Sequence, residues 1–231
     1  MHAQPRDARE LEAASLALSG SLGDRFRIAS KALVDLLNDP EDTTNVFVLG
    51  MVINAPAFPL LLSRIVTDPD GGRLLRERPS ITSEFVDYDA LRALPHDTLG
   101  GAYVRFLDDN GLDPDFFQPP QGLPEIVGYI GQRFRQTHDI WHVLTGYDTS
   151  VTGEAILQAF TFGQTGMPSA GLIAAAGSLR FTRPGNRLPQ RCVEGFLRGR
   201  RAAFLPVVFF EEMWERPLND VRRELGVTPD A

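Results

Sequence analysis

Two histidines four residues apart, His138 and His142, lie in the stretch HDIWH with an acid, Asp139, beside the first; a second acid, Glu154, follows twelve residues after His142. Imidazole nitrogens and carboxylate oxygens are the ligands of zinc and of the redox-active first-row metals. On a helix, side chains at i and i+4 lie one above the other, so both imidazoles point to one side. Phe134, Ile130 and Val127 continue that stripe toward the N-terminus, so the side faces the protein interior. A buried imidazole needs a partner, because an unpaired polar group carries its whole desolvation cost. A divalent ion takes both nitrogens at once, at about 2.0–2.1 Å for zinc. Asp139 is rotated by about 100° from His138, within reach as a ligand or as an orienting neighbour. Glu154 falls in the first turn of the next helix. Helices pack about 8–10 Å apart, so a short turn brings Glu154 back to face His142. A His/Asp/His/Glu set suits Zn²⁺, Fe²⁺ or Mn²⁺ better than Ca²⁺.

Other readings stand beside this one. The histidines could be core residues bonded to backbone carbonyls, and Glu154 could merely complement a helix dipole. The HExxH metalloproteases place a glutamate between their histidines as general base; Asp139 is one carbon shorter and poorly placed to hold a water against the metal. HD-type phosphohydrolases need further ligands, for which His96 is the only distant histidine besides His2.

The elements that must position these groups read as helices. Apolar spacing predicts helices over 25–37, over 46–66 with a break near Pro56 and Pro59, over 88–94 and over 98–110. A proline-bearing loop at 112–122 precedes the clearest helix, which starts at Leu123-Pro124-Glu125 with a proline in its first turn and an acid beside it, and runs to about Thr145 with Gly146 as its stop. A turn at 147–150 leads to a helix ending near Gln164, with Gly166 and Pro168 as stops. Asp70-Gly71-Gly72 reads as a turn. Helices follow over 170–179, over 190–214 with an interruption near Pro206, and over 218–225. Alternating strand patterns are nearly absent. The fold class is therefore all-α: a single-domain, multi-helix bundle over 1–231, with 1–24 as a partly ordered N-terminal extension and a buried metal site.

At 231 residues the chain suits one sizeable core. A net charge of −7 argues against a nucleic-acid partner. One cysteine, Cys192, excludes an internal disulfide or a CxxC zinc ribbon and fits a reducing compartment. The acids Asp7, Glu10 and Glu12 argue against a transit peptide, and the short N-terminus points to a bacterial origin. The expected location is cytoplasmic. The uncharged stretch 43–63 is about long enough to span a bilayer, but Asn45, Asn54, Pro56 and Pro59 interrupt it, and a buried broken helix is the better reading.

HDIWH, eleven residues and Glu154 match the HDxxHx11E motif of the fourth coenzyme Q (ubiquinone) biosynthesis protein family. The segments 39–47, 72–81, 94–115, 133–139, 151–154, 164–168 and 214–226 resemble that family as well, so the likeness covers most of the chain from about Arg25 onward. The resemblance implies an all-helical fold and a divalent metal on His138, Asp139, His142 and Glu154, with zinc expected first and iron or manganese as alternatives. It implies work on a prenylated quinone precursor: removal of the ring carboxyl at carbon one, with a hydroxyl put in its place in an oxidative version. The other role it implies is a non-catalytic, lipid-binding scaffold that organises the other ubiquinone-biosynthesis proteins at the inner membrane face, with a structural metal. Arg135, one turn before His138, is the candidate partner of a substrate carboxylate; its bland alternative is a surface salt bridge. Tyr129 and Trp141 read as packing residues. The apolar stretches 43–63 and 202–210 are candidates for a prenyl groove, for peripheral membrane docking helped by Arg198, Arg200 and Arg201, or for a homodimer contact.

Overall fold

The computed structural model describes residues 8–39, 44–116 and 123–230. His2, residues 40–43 of the first matched segment, Thr43 of the uncharged stretch and residues 117–122 of the proline loop lie outside the described residues. Within them the chain is all-helical, as expected. The helices are α1 (Ala8–Ser19), α2 (Leu22–Asn38), α3 (Thr44–Asn54), α4 (Phe58–Thr67), α5 (Gly71–Glu77), α6 (Tyr88–Arg92), α7 (Leu99–Asn110), α8 (Glu125–Thr145), α9 (Val151–Thr165), α10 (Pro168–Phe181), α11 (Leu188–Arg201) and α12 (Leu218–Leu225).

The starts follow local chemistry. Ser21, Asp87, Thr98 and Ser150 each cap a helix by accepting a backbone N–H from its first turn. The uncharged stretch breaks as its prolines require: α3 and α4 meet at 86°. Among the described residues no single helix is long and apolar enough to cross a membrane.

Three boundaries differ from expectation. The Asp70-Gly71-Gly72 turn is the start of α5, a helix of 7 residues, too short to show a period in the sequence. Pro168 does more than stop α9; it stands in the first turn of α10, where its missing N–H has no partner to lose. The helix expected through Trp214 ends at Arg201. Beyond it, Leu205–Val207 and Phe210–Glu212 are 3₁₀ turns, because Pro206 interrupts the hydrogen-bond ladder and each apolar side chain finds its own slot.

α9 is the central helix, packed against α10 and α11. A β-carbon at Gly163 would come within 2.4 Å of the Phe196 carbonyl, and one at Gly199 within 2.3 Å of the Phe160 carbonyl. The backbones of α9 and α11 therefore touch at a seam only glycine permits. The largest core joins Tyr103 and Leu107 of α7, Ile140 and Leu144 of α8, and Ile156 and Phe160 of α9. A second core brings the two apolar stretches together: Leu61 and Ile65 of α4 meet Phe204, Val207 and Phe209, with Ile130 of α8. A third ties α1 and α2 to α3 through Ala13, Ala29 and Leu49. Arg133 of α8 is fully buried, donating to both oxygens of Glu211 and to the Val208 carbonyl. It fastens the irregular 202–214 segment to the helix that carries the histidines.

Candidate metal centre

The last two turns of α8 hold His138, Asp139 and His142. Gly146 then adopts a left-handed conformation, φ +74°, and its N–H donates to the His142 carbonyl. That turn reverses the chain within five residues. Ser150 starts α9 by accepting the Gly153 N–H at 3.1 Å, and Glu154 lies in the first turn. The hairpin returns Glu154 to both imidazoles, as its spacing predicts. Oε1 lies 2.9 Å from His142 Nε2, and Oε2 lies 3.4 Å from His138 Nε2.

His142 is 1% exposed and forms the back wall. Phe106 of α7 stacks on its ring at 5.2 Å. Its Nδ1 lies 2.9 Å from the Tyr147 carbonyl. A carbonyl only accepts, so Nδ1 carries the proton and Nε2 is the nitrogen turned to the site. The two imidazole rings stand perpendicular, centroids 4.9 Å apart. One donor atom from each of His138, Asp139 and His142 lies within 4.8 Å of the other two. His138 and Glu154 are partly exposed, their side chains at 29% and 37%, and give the site its open side.

These contacts test whether a metal fits. With Nδ1–H given to Tyr147, His142 Nε2 offers a lone pair, yet it faces a carboxylate oxygen, which also only accepts. Something positive must lie between them, a second proton or a metal ion. Four ligands about 2.1 Å from a tetrahedral ion stand about 3.4 Å apart, and octahedral neighbours about 3.0 Å. The Glu154 separations of 2.9 and 3.4 Å fall at these edge lengths, and the group that gathers closely enough to hold an ion is His138, Asp139 and His142, within 4.8 Å, so this donor set is one that a divalent ion would take up.

Electrostatics agree. Burial works to raise Glu154, but the two imidazoles hold it well below the usual carboxylate range. Burial works to lower His138, but Glu154, with Asp139, lifts it above the usual imidazole value. Asp139 is pushed up by burial, against the pull of both histidines. The corner is arranged for positive charge.

Arg135 is buried, its guanidinium 3.8 Å from the centroid of the Phe47 ring on α3, which is not the surface setting of its bland alternative. Trp141 packs edge-on against Phe134 and Phe160, and Tyr129 donates to the Pro79 carbonyl at 3.4 Å. Sequence reasoning missed Phe106 as a partner of His142, and it offered a backbone-carbonyl bond as the alternative to the metal without naming Tyr147; the structure has that bond at Nδ1 and leaves Nε2 to the site. Phe106 stood on the apolar face expected for 98–110, but nothing local says that this face covers His142. Backbone carbonyls leave no mark in residue types.

Residues 20–230 match the family model described as coenzyme Q (ubiquinone) biosynthesis protein Coq4. A mitochondrial ubiquinone biosynthesis protein COQ4 homolog of Bos taurus is 35% identical over 195 residues, covering 83% of this chain and 74% of its own. The Homo sapiens homolog is 33% identical, covering 87% and 77%. A crystal structure from Nostoc punctiforme, described provisionally as a ubiquinone biosynthesis protein, superimposes with a TM-score of 0.70 at 26% identity, covering 87% of this chain and 97% of that one. The cytoplasmic location expected from the sequence is corrected by these relatives, since those of cow, mouse and human are named mitochondrial. The physical reason is that Glu10 and Glu12, used to argue against a transit peptide, lie within α1 of the folded protein and carry no address. The helical fold, the HDIWH–Glu154 corner and the match over nearly the whole chain agree: the protein belongs to the Coq4 family of ubiquinone biosynthesis proteins.

Proposed function

We propose that the protein removes the carboxyl group at carbon one of a prenylated hydroxybenzoate-type precursor of ubiquinone, using a divalent ion held by His138, Asp139, His142 and Glu154. The observation that carries the reading is the Glu154 carboxylate set against both imidazoles where a cation is required. When bound, the ion supplies a Lewis acid for the ring phenolate or carboxylate; zinc serves a redox-neutral decarboxylation, and iron or manganese with dioxygen serves replacement of the carboxyl by hydroxyl. The chain's own groups do the rest. Asp139 and Glu154 set the charge of the site, and Tyr147 holds the tautomer and orientation of His142. Arg135, one turn before His138, pairs with the substrate carboxylate. Carbon dioxide leaves and the ring carbon takes a proton from solvent through the open side beside His138 and Glu154. A mitochondrial location, as in the relatives' names, peripheral attachment to a membrane and work beside other ubiquinone-biosynthesis proteins complete the proposal.

The test is incubation of metal-loaded protein with a short-prenyl hydroxybenzoate, anaerobically and in air, following carbon dioxide release. Turnover that disappears in folded His142→Ala is the expected result. Full metal occupancy with no turnover under either atmosphere would favour the scaffold reading, in which the ion only ties α8 to α9.

A further inference from the structure

The end of α8 is finished by residues far from it in sequence. The last four carbonyls of a helix find no partner inside it; in α8 they belong to His142, Val143, Leu144 and Thr145. The His142 carbonyl accepts from the Gly146 N–H, and the others are met from residues 222–230. Arg222 of α12 donates to the Val143 and Leu144 carbonyls at 2.8 and 2.9 Å, a cation at the negative end of the helix. The Asp230 N–H donates to the Thr145 carbonyl at 2.7 Å. A β-carbon at Gly146 would stand 3.4 Å from that same nitrogen and 3.6 Å from Pro229 Cβ, so residues 229–230 lie directly on the turn.

The Asp230 side chain holds the same turn by a second route. Its carboxylate accepts from Arg191 at 2.5 Å and from Arg198 at 3.1 Å, both on α11. The Arg198 nitrogen that donates to Asp230 also donates to the Tyr147 hydroxyl, at 3.2 Å. One terminal amino group thus bridges a carboxylate and a phenol, with one N–H for each. Tyr147 is buried, and it is the residue whose carbonyl accepts from His142 Nδ1. A continuous path therefore runs from Asp230 through Arg198 and Tyr147 to the imidazole at the back of the site. Its members are mostly shielded from water, the Asp230 and Arg198 side chains being 21% and 26% exposed, so the pair is screened less than a surface one.

We propose that Asp230 is a positioning residue of the metal centre. By its own N–H and through Arg198 it clamps the 145–147 turn, so that the Tyr147 carbonyl keeps the Nδ1 proton of His142 and Nε2 stays turned to the ion. A loosened carbonyl lets the ring rotate, or lets the proton settle on Nε2, which then has no lone pair to give a metal. Asp230 itself touches neither ion nor substrate. The consequence for metal binding rests on the metal-site reading; the clamp on His142 does not. An ion pair that merely neutralised two arginines would fasten residue 230 to α11 and leave His142 unaffected, and that difference is measurable.

The experiment follows the His142 Nδ1–H of the full chain by proton–nitrogen NMR, metal-free and zinc-loaded, beside zinc affinity read by competition with a chromophoric chelator. In the parent this proton should exchange slowly with water in both forms. Asp230→Ala keeps the backbone N–H and removes the carboxylate. It should speed the exchange about tenfold and weaken zinc about tenfold, the lower end of what lost support of a metal ligand costs. Asp230→Glu should restore most of both. Glu224→Ala, which removes the acid paired with Arg216, is the control for charge and stability near the same end of the chain and should move neither reading. Arg198→Gln should repeat both losses, and it carries the test if Asp230→Ala does not fold. Parental exchange and affinity in the folded variants overturn the proposal. Equal losses in Glu224→Ala overturn it too, as does faster exchange with zinc affinity unchanged. If the parent takes up no zinc, the metal-site reading fails by itself; the exchange rates still decide the clamp, faster exchange in Asp230→Ala supporting it and parental exchange overturning it.

Discussion

Helix α8 carries two charged clusters less than two turns apart, built on opposite terms. Arg133 finds its counter-charge inside the protein: one anion, Glu211, engaged through both oxygens, with the Val208 carbonyl beside it, although its Nε is left without a partner. One cation meets one anion and the cluster is closed. The His138, Asp139, His142 and Glu154 corner sets acceptors against acceptors and is open to solvent on one side. If α8 needed only fastening to its neighbour, the first solution was at hand five residues upstream. A shortage of positive charge, kept beside a complete ion pair, is what separates a binding site from a strut.

Neutral isosteres test that contrast. Glu154→Gln removes the anion but supplies an N–H for an imidazole nitrogen. Metal affinity should fall by roughly 100-fold or more, at least the upper end of what lost partners around metal ligands cost, read by competition with a chromophoric chelator. The thermal midpoint of the metal-free protein should hardly move. His142→Ala should abolish stoichiometric binding. Unchanged affinity in Glu154→Gln would place the ion away from Glu154 and erase the contrast.

The closed cluster should behave in the reverse way. Glu211→Gln leaves a buried arginine without its charge partner, at a cost of about 3 kcal/mol. For a chain of this size that lowers Tm by roughly 10 °C, seen by calorimetry. Metal stoichiometry of the folded protein should stay that of the parent. A Glu211→Gln variant with parental stability would mean that Arg133 is held by its carbonyl bond alone.

Arg135 lies between the two clusters in sequence and can be assigned to either class. Arg135→Lys keeps the charge and loses the planar fork. If the side chain pairs with a substrate carboxylate, KM should rise about tenfold with kcat little changed. A drop in Tm with KM unchanged would make it a strut that holds α3 through Phe47.

What could be seen in the sequence was local. The i, i+4 histidines and the first-turn Glu154 specify their own geometry because a helix and a five-residue reversal relate them. The caps at Thr98 and Ser150 and the stop at Gly146 are equally local. Contacts closed over long separations were hidden: Arg133 with Glu211, 78 residues on, Phe106 on His142, and Arg64 with the Gln164 carbonyl, 100 residues on. The 202–214 segment misled for a related reason. Its apolar content is that of a helix, but Pro206 and the Arg133–Glu211 clamp hold it as 3₁₀ turns. The mitochondrial relatives show a further limit, since the acids of a packed helix cannot report where a protein is sent.

The smallest effect tests how the open corner depends on its hairpin. Ser150 caps α9 one turn before Glu154, and its hydroxyl also donates to Asp148 at 2.5 Å. Ser150→Ala leaves the Gly153 N–H without this acceptor, at a cost of about 1 kcal/mol, or roughly 3 °C in Tm. The glycine seam against α11 and the buried Ile156 and Phe160 fix the rotation of α9 independently of its cap. Metal affinity should therefore fall by well under tenfold, because Glu154 keeps its direction even as the first turn loosens. A loss approaching that of Glu154→Gln would mean that the cap, and not the core behind α9, aims the carboxylate; the open site would then be as local in its construction as it is in its sequence signature.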